Sequence, residues 1–304
     1  MSASQVSLQR RQERTGWLFL LPTIVIVFCV SVYPLLRTFY TSLTDVRMAS
    51  GREPAFVGLG NYTDLLSRGS FWEAARHTVI FTFCSVTLEM LLGLGIALIV
   101  HSGFRGRGIV RAAMLVPWAL PTVVSAKMWN YMLVDTYGVI NDLLYTRLHL
   151  LPHKIAWMAE PGLAMGSIIA VDVWKTTPFV VLLLLAGLQL IPAQMYEASA
   201  VDGASRWQQF RRITLPLLKP AILVVLIFRT LDALRVFDVI WVLTRGQIGT
   251  ESLATYAYRQ MIDFRKLGYG SAVSVTIFAL IAVFVVIYLG LANVMGNTAE
   301  SDDK

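Results

Sequence analysis

The sequence predicts an all-α membrane protein that crosses the bilayer six times. Of its 304 residues, 56% are hydrophobic and only 15% are charged, whereas about 25% are charged in ordinary soluble domains. A helix needs about 20 apolar residues to cross the hydrocarbon core. Six stretches meet that length and form one polytopic domain over residues 16–294: 16–36, 78–101, 109–133, 163–191, 217–243 and 270–293.

The first span follows a basic segment, residues 1–15, that resembles the start of a secretory signal peptide. Its apolar run is as long as a full span, and no clear small-x-small cleavage site follows it. We therefore expect it to stay as an anchor. Six spans place both ends of the chain on one side, so residues 1–15 and 295–304 are predicted to be cytoplasmic tails. The acidic end of the second tail is typical of a solvated segment.

Basic residues near the spans favour an orientation with both termini inside, because Lys and Arg accumulate in cytoplasmic loops. The opposite loops are longer, and acids balance their basic residues. The clusters on the predicted cytoplasmic side are Arg10, Arg11 and Arg14; Arg105, Arg107 and Arg111; and Arg206, Arg211, Arg212 and Lys219.

Several function classes are disfavoured. The isoelectric point is near 9.5, but the basic residues are scattered through short loops, so nucleic acid is not a predicted partner. Cys29 and Cys84 lie inside apolar runs and predict neither a disulfide framework nor a metal site. Glu89 and the four histidines show no triad or ligand spacing, so we assign them no chemistry, and a membrane-bound enzyme is disfavoured. The chain lacks a Gly-x4-Gly-Lys-[Ser/Thr] motif and should not hydrolyse ATP itself.

A polar loop, residues 192–216, separates the fourth and fifth spans. Helix formers at residues 196–201 run into Asp202-Gly203, and a second amphipathic stretch follows at residues 204–213. The pattern predicts helix, turn, helix, with positive φ at Gly203 and with Asp202 capping the second helix. A plain loop at the membrane surface, with basic residues against anionic headgroups, is the alternative.

The spacing Glu-Ala-x3-Asp-Gly-Ala-x5-Phe-x2-Ile-x-Leu-Pro in this loop resembles the EAA loop of importer-type ABC permeases. Only Ser199 replaces a commoner Ala. The resemblance implies that the short helix inserts into a cleft of a separate ATP-hydrolysing subunit. It also implies that the coupling residues are Glu197, Ala198, Asp202, Gly203, Ala204 and Phe210.

The fourth span carries Asp172-Val-Trp-Lys-Thr-Thr-Pro-Phe179, in which Pro178 removes a backbone hydrogen bond. A kinked, polar midsection predicts a cavity. The alternative is an ion pair of Asp172 with Lys175 that only neutralises itself. The segment resembles the N-x-W-x-x-x-P-Y segment of maltose-type permeases, which implies that Asp172, Lys175, Thr176 and Phe179 approach a bound sugar.

On the fifth span Arg229, Asp232, Arg235 and Asp238 recur every three residues with alternating sign. Each can pair with its neighbour, but a three-residue step drifts by about 60° around a helix, so not all four should line one pore. Charge neutralisation within the bundle is the alternative, and Arg229 fits it best. Residues 228–244 resemble the permease segment whose outer half contacts sugar, which implies a pathway role for Asp232 and Arg235.

Two further segments resemble sugar permeases. Pro117-Trp-Ala-Leu-Pro121 breaks the third span twice, and the resemblance places the ring of Trp118 beside the sugar; an aromatic packed at a kink is the alternative. Phe56-Val-Gly-Leu-Gly-Asn-Tyr62 resembles an F-x-G-L-x-N-Y segment, which implies an outer surface where a substrate-delivering protein docks. An interfacial aromatic anchor is the alternative.

Together the resemblance runs from about Trp17 to Val294 and is greatest to maltose- and trehalose-type carbohydrate permeases. It implies a type I ABC importer permease in a bacterial or archaeal cytoplasmic membrane, moving a disaccharide by alternating access. Its implied partners are a second related permease, two cytoplasmic ATP-binding subunits, an extracytoplasmic sugar-binding protein and membrane lipid. No cofactor or metal is expected in this chain, because ATP and Mg²⁺ would bind the ATPase. The rival is a secondary carrier or channel, which has no use for the docking signature and would show paired inverted halves.

Overall fold

A computed structural model of the chain describes residues 3–49, 51 and 53–301. These residues form helices, and their extended pairing is confined to one isolated bridge between Thr44 and Phe56. The α-helices are α1 Ala3–Val27, α2 Tyr33–Ser42, α3 Gly60–Ser67, α4 Gly69–His101, α5 Arg107–Ala119, α6 Thr122–Met132, α7 Val139–Asn141, α8 Pro161–Gln189, α9 Ala193–Val201, α10 Arg206–Gln209, α11 Leu215–Leu234, α12 Asp238–Leu243, α13 Leu253–Ile262 and α14 Leu267–Ser301.

Within the described part of the chain, three π-helical turns interrupt or extend these helices. Phe28–Val32 joins α1 to α2, Asp142–Arg147 continues α7, and Phe210–Thr214 joins α10 to α11. Residues 3–15 and 295–301 of the two predicted tails are helical. They belong to α1, which begins at Ala3, and to α14, which ends at Ser301. Residues 1, 2 and 302–304 of these tails lie outside the described residues.

The prediction of six spans is confirmed when a bent pair of helices counts as one span. Among the residues that the structure describes, five helical stretches are long and apolar enough to cross a membrane: Thr15–Ser42, Gly69–His101, Pro161–Gln189, Arg206–Leu234 and Leu267–Tyr288. The predicted third span consists of α5 and α6, which meet at 93°. Of its two prolines, Pro117 lies inside α5 and Pro121 caps α6. The bend therefore falls at Leu120 and Pro121 rather than at both prolines.

The predicted fifth span, residues 217–243, is wrong at its C-terminal end. Its helix ends at Leu234, because Arg235 takes φ −108° and ψ 22°, outside the helical region. A separate helix, α12, begins at Asp238. The Ser252 hydroxyl donates a 2.8 Å hydrogen bond to the Val236 carbonyl, and this contact satisfies a backbone acceptor that the break leaves unpaired.

The chain forms two compact units. One comprises Met1–Ser67 with Ala257–Thr276, and the other comprises Arg68–Tyr256 with Ile277–Lys304. In the first unit the Asn61 amide donates 2.8 Å hydrogen bonds to the carbonyls of Ser42 and Thr44. The Tyr62 hydroxyl lies 2.7 Å from the hydroxyl of Ser42. The last two residues of the predicted outer docking segment therefore hold the end of α2, whereas Phe56 is 68% exposed.

In the second unit α4 packs along α8, and α11 packs against both. Small residues let these helices approach closely. A Cβ atom on Gly93 of α4 would collide with Cγ1 of Val180 on α8, and one on Gly187 would lie 2.6 Å from the Cβ of Ala221 on α11. Such close approach is typical of helix packing inside membranes, where small residues let backbones meet.

Candidate functional site

A cavity of about 440 Å³ lies in the second unit where α5, α8 and α11 face one another. The seven residues that the sequence places on a substrate pathway all line it. They are Trp118 of α5; Asp172, Lys175, Thr176 and Phe179 of α8; and Asp232 and Arg235 at the end of α11. Segments far apart in the sequence thus contribute to one site. Their role in transport stays a prediction.

Aromatic rings form one side of the cavity. Trp118 and Phe179 are stacked, with centroids 5.9 Å apart and an interplanar angle of 17°. Phe228 meets the edge of Phe179 at a centroid distance of 6.5 Å. Trp118 remains 45% exposed, so part of its ring is accessible to a ligand. Apolar walls with a few well-placed polar groups are typical of small-molecule sites.

A buried network of charges forms the other side. The Arg229 guanidinium donates a forked pair of hydrogen bonds to Glu89, at 2.5 Å from Nε to Oε2 and 2.9 Å from Nη2 to Oε1. Arg229 also donates to Asp232 at 2.7 Å and to Asp172 at 3.3 Å. The alternative of a self-neutralising Asp172 and Lys175 pair is therefore wrong, because the ion pair of Asp172 crosses to another helix.

The predicted ladder of alternating charges is confirmed over its first three members. Asp232 pairs with Arg229 and, at 3.5 Å, with Arg235. Asp238 pairs with no residue that the structure describes, because it begins a new helix beyond the break at Arg235. The expectation that not all four residues line one pore is also wrong, because Arg229, Asp232, Arg235 and Asp238 all line the cavity. A continuous helix would have turned them to different sides, but this helix ends at Leu234.

Glu89 is the residue that the sequence analysis missed. It is completely buried on α4 and accepts hydrogen bonds from Arg229 and, at 2.7 Å, from the Thr176 hydroxyl. The available signal was an ionisable side chain in the middle of an apolar span, which is costly in a membrane without a partner. An ion pair between two spans produces no triad or ligand spacing along the sequence.

The coupling loop, residues 192–216, adopts the predicted helix, turn, helix. Its first helix is α9, Gly203 has φ +79° in the turn, and α10 begins at Arg206. The prediction that Asp202 caps the second helix is wrong. Ser205 is the cap, because its hydroxyl accepts from the Gln208 N–H at 3.3 Å while the Gln208 side chain accepts from the Ser205 N–H at 2.7 Å.

The six predicted coupling residues lie close together in this loop. Glu197 and Ala198 are exposed on α9, and Phe210 is half-buried and stacked on Trp207 at 5.4 Å. Asp202, Gly203 and Ala204 line a groove of about 340 Å³ between the two helices. Trp207 is 67% exposed. The loop therefore presents both polar and apolar groups on an accessible surface.

Hydrogen bonds hold the two helices of the coupling loop together. The Gln209 amide donates to the Ser199 hydroxyl at 3.0 Å and to the Tyr196 carbonyl at 3.3 Å. The Tyr196 hydroxyl lies 2.9 Å from the hydroxyl of Thr214. Ser199, the one departure from the common motif, thus has a structural role that Ala could not fill.

A helical bundle with a broken span, a polar cavity between its helices and an accessible two-helix loop are features that a membrane transport component requires. The chain belongs to the family of binding-protein-dependent transport system inner membrane components, whose family model matches residues 89–295. It is therefore a multi-pass transport subunit of the inner membrane. This confirms the class of protein that the coupling-loop motif predicts.

Proteins similar to the chain include permeases named for trehalose, maltose or sulfoquinovosyl glycerol. It is 45% identical over 287 residues to the trehalose/maltose transport system permease protein MalF of Thermococcus litoralis, covering 93% of this chain and 95% of that protein. It is 38% identical to the trehalose transport system permease protein SugA of Mycobacterium tuberculosis, covering 95% and 92%. It is 40% identical to the sulfoquinovosyl glycerol transport system permease protein SmoG of Agrobacterium fabrum, covering 90% and 88%. The predicted resemblance to maltose- and trehalose-type permeases is confirmed.

The fold also matches a solved transporter. A chain of a bacterial alginate ABC transporter, crystallised with an alginate pentasaccharide-bound periplasmic protein, superposes with a TM-score of 0.81 at 22% identity, covering 91% of this chain and 93% of that one. At this identity the match concerns the fold alone. It confirms the predicted ABC importer permease fold.

Proposed function

We propose that this chain is a permease subunit of an ATP-driven importer that translocates a disaccharide, trehalose or maltose, delivered by an extracytoplasmic binding protein. The observation that carries the proposal is the convergence of seven predicted pathway residues on one cavity of about 440 Å³. Small-molecule sites have volumes of roughly 300–1,000 Å³. The names of two relatives, trehalose/maltose and trehalose permeases, support the choice of sugar.

The chemistry of the cavity suits a sugar. The stacked rings of Trp118 and Phe179 offer flat apolar surfaces to the C–H faces of a pyranose ring. Asp172 and Asp232 can accept hydrogen bonds from hydroxyl groups, and Lys175 and Arg235 can donate them. A ligand held by both kinds of contact is fixed in orientation as well as in position.

Energy would enter through the coupling loop. In this proposal Glu197, Ala198, Asp202, Gly203, Ala204 and Phe210 contact one of two cytoplasmic ATP-binding subunits, which bind ATP and Mg²⁺. The loop must then face the cytoplasm, which places both termini inside, in agreement with the basic clusters near the spans. A second, related permease completes the pathway, and closure of the ATPases switches the cavity between inward and outward access.

The experiment is to purify the chain with its co-purifying partners and to measure ATP hydrolysis as sugar-loaded binding protein is added, testing trehalose and maltose. We expect one of the two sugars to stimulate hydrolysis. Sugar transport with no associated ATPase would overturn the proposal in favour of a secondary carrier.

A second candidate substrate is an anionic glycoside. Lys175 lines the cavity but makes no ion pair with any residue that the structure describes. An ammonium group without a carboxylate partner can bind a sulfonate or carboxylate on the ligand, and one relative is named for sulfoquinovosyl glycerol. Adding that compound to the sugar panel separates the candidates, because stimulation by it alone would exclude the neutral disaccharides.

A further inference from the structure

Glu89 is completely buried and lies behind the cavity, with its carboxylate held by residues of two other helices. Its Oε1 accepts from the Thr176 hydroxyl of α8 at 2.7 Å and from Arg229 of α11 at 2.9 Å. Both partners line the cavity. Glu89 is not itself among the residues that line the cavity, yet it is bonded to two residues that do.

Arg229 donates hydrogen bonds to all three carboxylates of this network. Its Nε and Nη2 groups donate the bidentate pair of hydrogen bonds to Glu89. Nη1 then donates to Asp232, and Nη2 is shared with Asp172. Asp232 in turn pairs with Arg235 at 3.5 Å. The side-chain exposure rises along this chain of contacts, from 0% for Glu89 and 4% for Arg229 to 55% for Asp232 and 67% for Arg235. The network thus runs without interruption from a fully buried carboxylate to two exposed side chains at the cavity.

We propose that Glu89 is a positioning residue for the substrate cavity, which holds Arg229 and Thr176 so that Asp172, Asp232 and Arg235 present their polar groups to the sugar. The inference rests on the proposed function. Its physical basis is geometric: a guanidinium that donates a bidentate pair to one carboxylate has a fixed plane, and the remaining N–H groups then have fixed directions.

The Glu89→Gln variant isolates this role because it preserves shape. The Gln amide oxygen can still accept from Thr176, but its N–H₂ group faces the N–H groups of Arg229, so the bidentate contact is lost. Arg229 would then turn toward Asp172 and Asp232 and draw them away from the ligand. Glu89→Asp retains the charge but shortens the side chain, and it should have an intermediate effect.

The experiment is to measure the number of ATP molecules hydrolysed per sugar transported, in proteoliposomes with saturating sugar-loaded binding protein. We expect Glu89→Gln to raise this ratio roughly ten- to a hundredfold, the range that corresponds to one lost hydrogen bond to a charged group. The control is Asp142→Asn, which removes a carboxylate from an exposed ion pair with Arg147 and should retain the wild-type ratio. A purely structural role would reduce the amount of assembled complex without changing the ratio.

The outcomes separate this inference from the proposed function. If wild-type complex neither hydrolyses ATP in response to a loaded binding protein nor transports sugar, the proposed function fails. If wild type is active and assembled Glu89→Gln has the wild-type ratio, the positioning role is overturned and the proposed function stands. If neither Glu89 variant assembles while Asp142→Asn does, Glu89 serves folding alone, and the positioning role is again overturned.

Discussion

The indole of Trp118 and the ring of Phe179 stack 5.9 Å apart on one side of the cavity, one from α5 and the other from α8. Trp118 lies shortly before Pro121, the residue at the break between α5 and α6, and Phe179 directly follows Pro178, which lies inside the continuous helix α8. The two prolines thus lie beside the aromatic wall. Because the wall is made by two helices, it can form only when both spans are packed together.

Replacing Trp118 by Ala should weaken sugar transport. The substitution removes a ring that is 45% exposed in the cavity and leaves Phe179 without its stacking partner. Aromatic contacts contribute about 0.5–1.5 kcal/mol each, so we expect the half-saturating sugar concentration for uptake to rise roughly two- to tenfold. Uptake kinetics in proteoliposomes provide the measurement.

The matched control for this change is Phe83→Ala on α4, which removes a ring that is 71% exposed and does not line the cavity. It should leave the half-saturating concentration unchanged. Equal behaviour of the two variants would count against a role for Trp118 in sugar recognition.

Gly203→Pro should abolish ATP-coupled uptake while the chain still inserts into the membrane. Gly203 has φ +79° in the turn of the coupling loop, whereas proline is fixed near −65°. The turn must therefore reorganise and misplace the coupling residues. Sugar-stimulated ATP hydrolysis and uptake are the measurements, with membrane insertion checked by fractionation.

Gly203→Asn is the companion variant, because Asn tolerates positive φ better than other side chains and a Cβ atom at this position meets nothing within 4 Å. It should retain most of the activity.

Asp202→Lys, which reverses a charge in the groove beside Arg212, should abolish coupling like the proline variant. Full coupling in both Gly203→Pro and Asp202→Lys would contradict the docking role of the loop.

Much of this fold could be predicted from the sequence because its signals are local. Apolar runs of the length of a span located the membrane helices, and the turn at Asp202 and Gly203 is set by a residue that accepts positive φ. The pathway residues could be assigned because each lies in a segment that resembles known sugar permeases. Proximity among those segments then follows from the family fold.

The parts that the sequence did not predict depend on contacts between distant residues. Glu89 and Arg229 are 140 positions apart, so no local pattern shows that each compensates the charge of the other. The end of α11 at Leu234 was also missed. No Gly or Pro marks residues 235–237, and the contact from Ser252 to the Val236 carbonyl comes from a loop farther along the chain.

Ser199→Ala should loosen the coupling loop without preventing transport, since Ala is the common residue at this position of the motif. The variant loses the 3.0 Å hydrogen bond from Gln209, which corresponds to about 1 kcal/mol. Amide hydrogen exchange over α9 and α10 should become faster. A double-mutant cycle with Gln209→Ala checks the cause: the two changes should be less than additive, and strict additivity would show that the contact contributes nothing.

Gly93→Ala should destabilise the packing of α4 on α8. The new Cβ atom would collide with Cγ1 of Val180 and lie 3.0 Å from its Cβ, and Val180 is fully buried. Overpacking of this kind costs about 1–3 kcal/mol, so the thermal transition of the detergent-solubilised protein should move to lower temperature.

The control is Gly95→Ala, two residues along the same helix. Its new Cβ atom meets nothing within 4 Å, and the change should be neutral or slightly stabilising, because Ala has a higher helix propensity than Gly. Adding Val180→Ala to Gly93→Ala removes the colliding methyl groups and should restore part of the lost stability. Equal transition temperatures for Gly93→Ala and Gly95→Ala would mean that α4 and α8 are not in close contact at this point.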